Sequence, residues 1–152
     1  MSIVAVLEKR ELRPEQELAA LLTHADGDGA VLSFVGLARP TSKDGANIDK
    51  LVLEHHQTLT RQSLEEVASA TAERFDLSHV RVIHRCGELA RGEAIVFAGV
   101  AARHRRAVFE AADYLMDRLK TEAVFWKREV SERGSECIEP AEADHSDRER
   151  WG

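Results

Sequence analysis

The densest run of positive charge in the sequence is Arg103-His104-Arg105-Arg106, followed by Arg118 and Lys120 and then by Lys127-Arg128. The whole chain carries 21 Lys and Arg against 27 Asp and Glu, a formal net charge of −6, so this basic stretch is a local excess. A helix beginning at such a run offers unpaired N–H groups and a partial positive charge, and His104 and Arg105 there suit a phosphate or carboxylate. The plain alternative is a solvated basic face that pairs with surplus carboxylates. Lys120 and Lys127 are the sharper pair. A continuous helix would put them on one face about two turns apart, whereas a strand starting between them lets them converge from two elements. Ammonium groups brought together with Arg128 disfavour each other's charge, which frees an amine to act as base or nucleophile. Strand alternation sets Phe125, Lys127 and Glu129 on one face, and Trp126 and Arg128 on the other. Two ordinary surface lysines are the competing interpretation.

Other constellations are weaker. His55-His56 and His84-Arg85-Cys86 contain metal-ligand types, but neighbouring strand residues point to opposite faces and no HExxH or CxxC spacing occurs, so no metal is expected. There is no GxSxG, phosphate-loop or GxGxxG motif. Arg39 lies beside a Pro40 to Asn47 loop, a common place for ligand contacts.

The elements that must position these residues can be read from periodicity and punctuation. Ile3, Ala5 and Leu7 share a face of a first strand, and Pro14 opens a helix with Glu15 and Glu17 in its first turn. After the Asp26–Gly29 turn, Ala30 to Leu37 reads as a mostly buried strand. Lys50 to His55 is a further strand, and Leu64, Val67, Ala68, Thr71 and Phe75 mark a helix from about Thr60 to Phe75. His79–Arg85 and Glu93–Val100 are strands separated by a turn through Gly87 to Gly92. Val108, Ala112, Leu115 and Leu119 stripe a helix over Arg103 to Lys120. The chain leaves that helix near Thr121 for the strand Val124–Val130, and a hairpin through Arg133-Gly134 returns to Glu136–Glu139. The expected fold class is α+β with a mixed or antiparallel sheet, and residues 141–152 form a polar C-terminal tail in which Trp151 is the one anchor.

At 152 residues, with 43% hydrophobic and 32% charged residues, the chain suits one globular domain. Its acidic balance and 5% aromatic content oppose nucleic-acid binding. Cys86 and Cys137 form no motif, and neither a signal peptide nor a run of ~20 apolar residues is visible, so a cytoplasmic, membrane-free protein is expected.

Several segments together are similar to one family. Phe34-Val35-Gly36 with Arg39, Leu53-Glu54-His55-His56, Val82 to Leu89, Gly92 to Val100, Arg103-His104-Arg105 and Leu119-Lys120-Thr121-Glu122-Ala123-Val124-Phe125-Trp126-Lys127-Arg128-Glu129 resemble the large subunit of molybdopterin synthase, from about Gly29 to Trp151. The resemblance implies an alpha/beta hammerhead-type domain with an additional antiparallel sheet, a homodimer at the centre of a heterotetramer, and a small ubiquitin-like sulfur-carrier subunit at each end. It implies an enzyme that transfers sulfur from that partner's C-terminal glycine thiocarboxylate to cyclic pyranopterin monophosphate, making the dithiolene of molybdopterin. No cofactor is implied, since the pterin is the substrate. By motif, Lys120 and Lys127 are catalytic. Leu37, Ala38, Arg39, His104, Arg105, Arg128 and Glu129 join them in binding substrate, His104 and Arg105 from the same or the opposite protomer, with Phe34 and Met116 in support. Many relatives carry Trp and Arg where this chain has Cys137 and Ala141, which removes one expected anion contact for which Arg148 or Arg150 are the nearby substitutes. A non-catalytic subunit that docks a ubiquitin-like tail is the alternative.

Overall fold

The computed structural model describes residues 1–152. Strands β1 (Ser2–Glu8), β2 (Ala30–Leu37), β4 (His79–Arg85) and β6 (Ala94–Ala102) make one four-stranded sheet in the order β1-β4-β6-β2. Only β1 and β4 run parallel in it. Helix α1 (Pro14–His24) covers one face, while α2 (Gln57–Arg74) and α3 (Arg105–Glu122) cover the other. The strands obey the period of two. Val80, Val82, Val96, Ala98 and Val100 enter the large core with Leu64, Val67, Leu115 and Leu119, whereas Ile83, Phe97 and Ala101 join Leu21 of α1. Gly99 makes the α1 side close: a Cβ there would lie 2.5 Å from Leu21 Cδ2.

The second sheet, β5-β3-β7-β8, is antiparallel throughout and contains β3 (Lys50–His55), β5 (Gly87–Ala90), β7 (Phe125–Ser131) and β8 (Gly134–Ile138). A small core of Ala38, Leu53 and Leu89, with Leu51, Ile95 and Phe125 around it, fills the space beneath this sheet. The fold is thus α+β, with a mixed sheet and an added antiparallel one.

Two expectations need correction. The segment from Gly87 is not merely a turn: Gly87, at φ 88°, swings the chain out of β4 so that Gly87–Ala90 can pair with β3. The C-terminal stretch is not a plain tail either. Glu142–Glu149 forms helix α4, with the Asp144 carboxylate accepting the Ala141 N–H at 3.1 Å. Arg150 pairs with Asp113 and Asp117, Trp151 Nε1 donates to Asp117 at 2.6 Å, and the indole ring meets Phe75 and Tyr114 edge-on. One aromatic anchor, Trp151, with the guanidinium groups of Arg74 and Arg150 over its ring is enough to dock a segment whose composition is polar. No helix is long and apolar enough to cross a membrane.

Candidate active site

Helix α3 ends in a turn that carries Lys120, and Ala123, in extended conformation at φ −68° and ψ 131°, turns the chain into β7. Val124 is held on both sides by α2: its N–H donates to Ser63 Oγ at 3.0 Å, and its carbonyl accepts the Thr60 hydroxyl. Thr60 and Ser63 are buried at the start of α2, whose cap is His56, with Nδ1 accepting from the Leu59 N–H at 3.0 Å. This clamp aims β7 so that Lys127 returns to Lys120, and the two amines come within hydrogen-bonding reach. The strand alternative of the sequence is therefore the one the chain adopts.

Burial first, then the Lys120 charge and its hydrogen bond, and then Arg39 lower the Lys127 amine from its ordinary 10.5 to about 8, with Asp144 of α4 opposing them. Arg39 emerges just after β2. It is fixed by Ala38, which is 3% exposed, whose N–H donates to Glu93 and whose carbonyl accepts from Gly92, each at 2.9 Å. Ala38 is thus a packing residue, while Leu37, at 57% exposure, and Arg39 present themselves to solvent on either side of it. Glu129 lies within the field of Arg39 and Lys127, but burial and the Glu136 carboxylate hold its carboxyl above the usual range. Phe34 is 40% exposed and its ring lies over Gly36 of the edge strand. Met116 stands one turn before Lys120, packed against the large core.

Not every candidate joins this cluster. Arg128 points to the opposite face of β7, where it pairs with Glu54 at 3.0 Å. His104 caps α3 and Arg105 begins it, and they line an open depression of ≈ 420 Å³ with Arg106, Phe109 and Glu110. Fifteen helical steps of ~1.5 Å put Arg105 about 22 Å from Lys120 in the same chain. Arg148 and Arg150 are committed to Glu122 and to Asp113 and Asp117 of α3, so neither stands in for the arginine replaced by Ala141. No three His, Cys, Asp or Glu side chains are grouped to hold a metal.

Motif reading missed the residues that work from beneath: Thr60 and Ser63, which look like ordinary helix residues, and Asp144. His84, in a run singled out for metal-ligand types, instead stacks its ring on Phe125.

Fold and site together define an α+β protein in which Lys120, Lys127 and Arg39 form a local cationic cluster. The model of the MoaE protein family matches residues 7–122, and the chain belongs to that family. It is 43% identical over 130 residues to the molybdopterin synthase catalytic subunit of Yersinia pestis, covering 86% of this chain and 85% of that one. Identity with the Caulobacter vibrioides molybdopterin synthase catalytic subunit is 41% over 149 residues, 98% of this chain and 97% of that one. The solved structure of the molybdopterin biosynthesis MoaE protein from Burkholderia ambifaria superposes with a TM-score of 0.84 at 30% identity, covering 99% of each chain.

Proposed function

We propose that this chain is the catalytic subunit of a molybdopterin synthase in molybdenum cofactor biosynthesis. It transfers sulfur from the thiocarboxylated C-terminus of a small ubiquitin-like subunit to cyclic pyranopterin monophosphate, building the dithiolene. The observation that carries this reading is the pair formed by Lys120 at the end of α3 and Lys127 on β7, the latter lowered to about 8, in a chain that matches such subunits along nearly its whole length.

The chemistry asks for such a cluster. A thiocarboxylate and a phosphate repel one another, and cations lower the cost of bringing them together. As the thiocarboxylate sulfur attacks a substrate carbon, the C–O bond there breaks with its electrons going to oxygen. Lys120 stabilises that oxygen and supplies its proton, and Lys127 assists. Water then cleaves the acyl–sulfur bond, so the tail leaves as a carboxylate and the sulfur stays on the pterin.

Arg39 and Glu129 line the approach to the lysines, and the partner's tail passes the exposed Phe34 and Leu37. The ~22 Å between Arg105 and Lys120 favours a dimer in which His104 and Arg105 of one protomer serve the lysines of the other. A small subunit docks at each end of that dimer, in the cytoplasm. Supporting such a pairing, a solved relative from Helicobacter pylori is a complex of subunits 1 and 2 of molybdopterin-converting factor.

The test is turnover. Purified chain, thiocarboxylated small subunit and cyclic pyranopterin monophosphate yield the dithiolene product, whereas folded Lys120→Ala yields none. Absence of product from the native chain, despite a stable complex with the small subunit, would leave a docking subunit instead.

A further inference from the structure

Strand β4 buries an arginine that the reaction above does not use. The period of two puts Arg81, Ile83 and Arg85 on the α1 face of the sheet. Arg81 meets Glu17 of α1 at 2.9 Å, whereas Arg85 is answered by the turn between β5 and β6. Arg85 is 5% exposed; its Nη2 donates to the Glu88 carbonyl at 3.2 Å, and its Nη1 lies 3.7 Å from the Glu93 carboxylate. Nε and Nη1 have no hydrogen-bond partner, so these two oxygens are what compensates the buried charge. The Glu93 carboxylate also accepts the Ala90 N–H at 2.8 Å, which ties the two ends of the turn together.

That turn grips the segment carrying Arg39. The register of β2 with β6 shifts between Gly36 and Leu37, and β2 ends at Leu37. Ala38 is then held by the Glu93 carbonyl and the Gly92 N–H, while on the far side of the loop Arg91 Nε donates to the Ile48 carbonyl. Ile48, buried at 3% exposure, donates its own N–H to the Pro40 carbonyl at 2.9 Å. Arg39 and Pro40 thus lie between two points fixed to one turn.

We propose that Arg85 is a positioning residue for Arg39: through Glu93 it anchors the β5–β6 turn, and the turn holds the backbone on both sides of Arg39. The consequence for turnover rests on the synthase reading; the geometry does not.

A buried ion pair suits this task. The guanidinium cannot give up Glu93 without leaving an uncompensated charge, so the turn has one favoured placement. Backbone bonds alone would leave a short surface turn free to open locally. Arg39 then meets an anionic group with its backbone already in place, and less ordering is needed on binding.

The experiment uses Arg85→Met, which keeps much of the side chain's bulk and removes its charge. Amide exchange of Ala38 and Ile48, followed by NMR, reads the anchoring without turnover, with Val100 in the core of β6 as internal control. The expected result is exchange at Ala38 and Ile48 accelerated about tenfold more than at Val100. In the synthase assay kcat/KM falls about tenfold, and adding Arg85→Met to Arg39→Met costs less than about twofold further, because the positioned group is already gone. Where circular dichroism shows that Arg85→Met does not fold, Glu93→Gln carries the same measurements: it keeps an acceptor for the Ala90 N–H and removes the anion. Equal acceleration at all three amides, or none, overturns the proposal, as does a turnover loss that multiplies in the double variant. Native protein that makes no dithiolene overturns the synthase reading alone, and the exchange still decides the role of Arg85.

Discussion

Gly29 packs directly against the backbone of Arg103: a Cβ on Gly29 would lie 2.4 Å from the Arg103 carbonyl oxygen. This contact starts β2 and α3 side by side. Eight strand residues at ~3.3 Å and 18 helical residues at ~1.5 Å both cover about 26–27 Å. The two elements therefore finish together, and Arg39 and Lys120 arrive at Lys127.

Gly29→Ala tests that alignment. Backbone cannot rotate away as a side chain can, so the start of α3 must shift, carrying His104 and Arg105 with it. The expected outcome is a folded protein destabilised by about 1–3 kcal/mol, with KM for the pterin raised more than kcat is lowered, measured by urea unfolding and steady-state kinetics.

Lys127 should titrate as part of a pair. Removing the neighbouring charge in Lys120→Met relieves repulsion, so the Lys127 amine moves up from about 8 toward its ordinary 10.5. Lysine labelling across pH reads the shift directly, and a midpoint that stays put would separate the two amines.

The α2 clamp on Val124 is structural in origin and functional in effect. In Thr60→Val with Ser63→Ala, the Val124 N–H and carbonyl lose their α2 partners. A stability loss of roughly 1–3 kcal/mol is expected, together with a drop in turnover at saturating substrate, because β7 no longer aims Lys127 at Lys120.

Acid should weaken the fold through two histidines. His79 and His84 are both lowered from 6.5 to about 4 mainly by burial. Between these values the unfolded chain binds more protons than the folded one, so stability falls as pH drops from 6.5 to 4 and these groups add no further loss below that. Urea midpoints at pH 7, 5.5 and 4 measure the decline, and His79→Asn makes it shallower.

How much of this was legible in the sequence follows from range. The stripe Val108, Ala112, Leu115, Leu119 announces α3 because helical packing is local and periodic, and Lys120 and Lys127 stand out by their spacing. Strand β5 escaped because four residues are too few for a period and its pairing with β3 is long-range. Helix α4 escaped because its docking depends on Trp151 and Arg150 meeting distant partners on α2 and α3. Within the site, the basic residues carry their chemistry in their type. The split between the Arg105 and Lys120 ends of α3 is a matter of helix length, and the roles of Thr60 and Ser63 come from contacts no motif records.

The most direct measurement is subunit complementation in the synthase assay. Lys120→Ala and Arg105→Ala proteins, each inactive alone, are unfolded and refolded together with thiocarboxylated small subunit and cyclic pyranopterin monophosphate. If one protomer's arginine serves the other's lysines, half of the dimers are mixed and each has one intact site, so about a quarter of native turnover returns. Mixed dimers that form yet make no dithiolene would contradict the account.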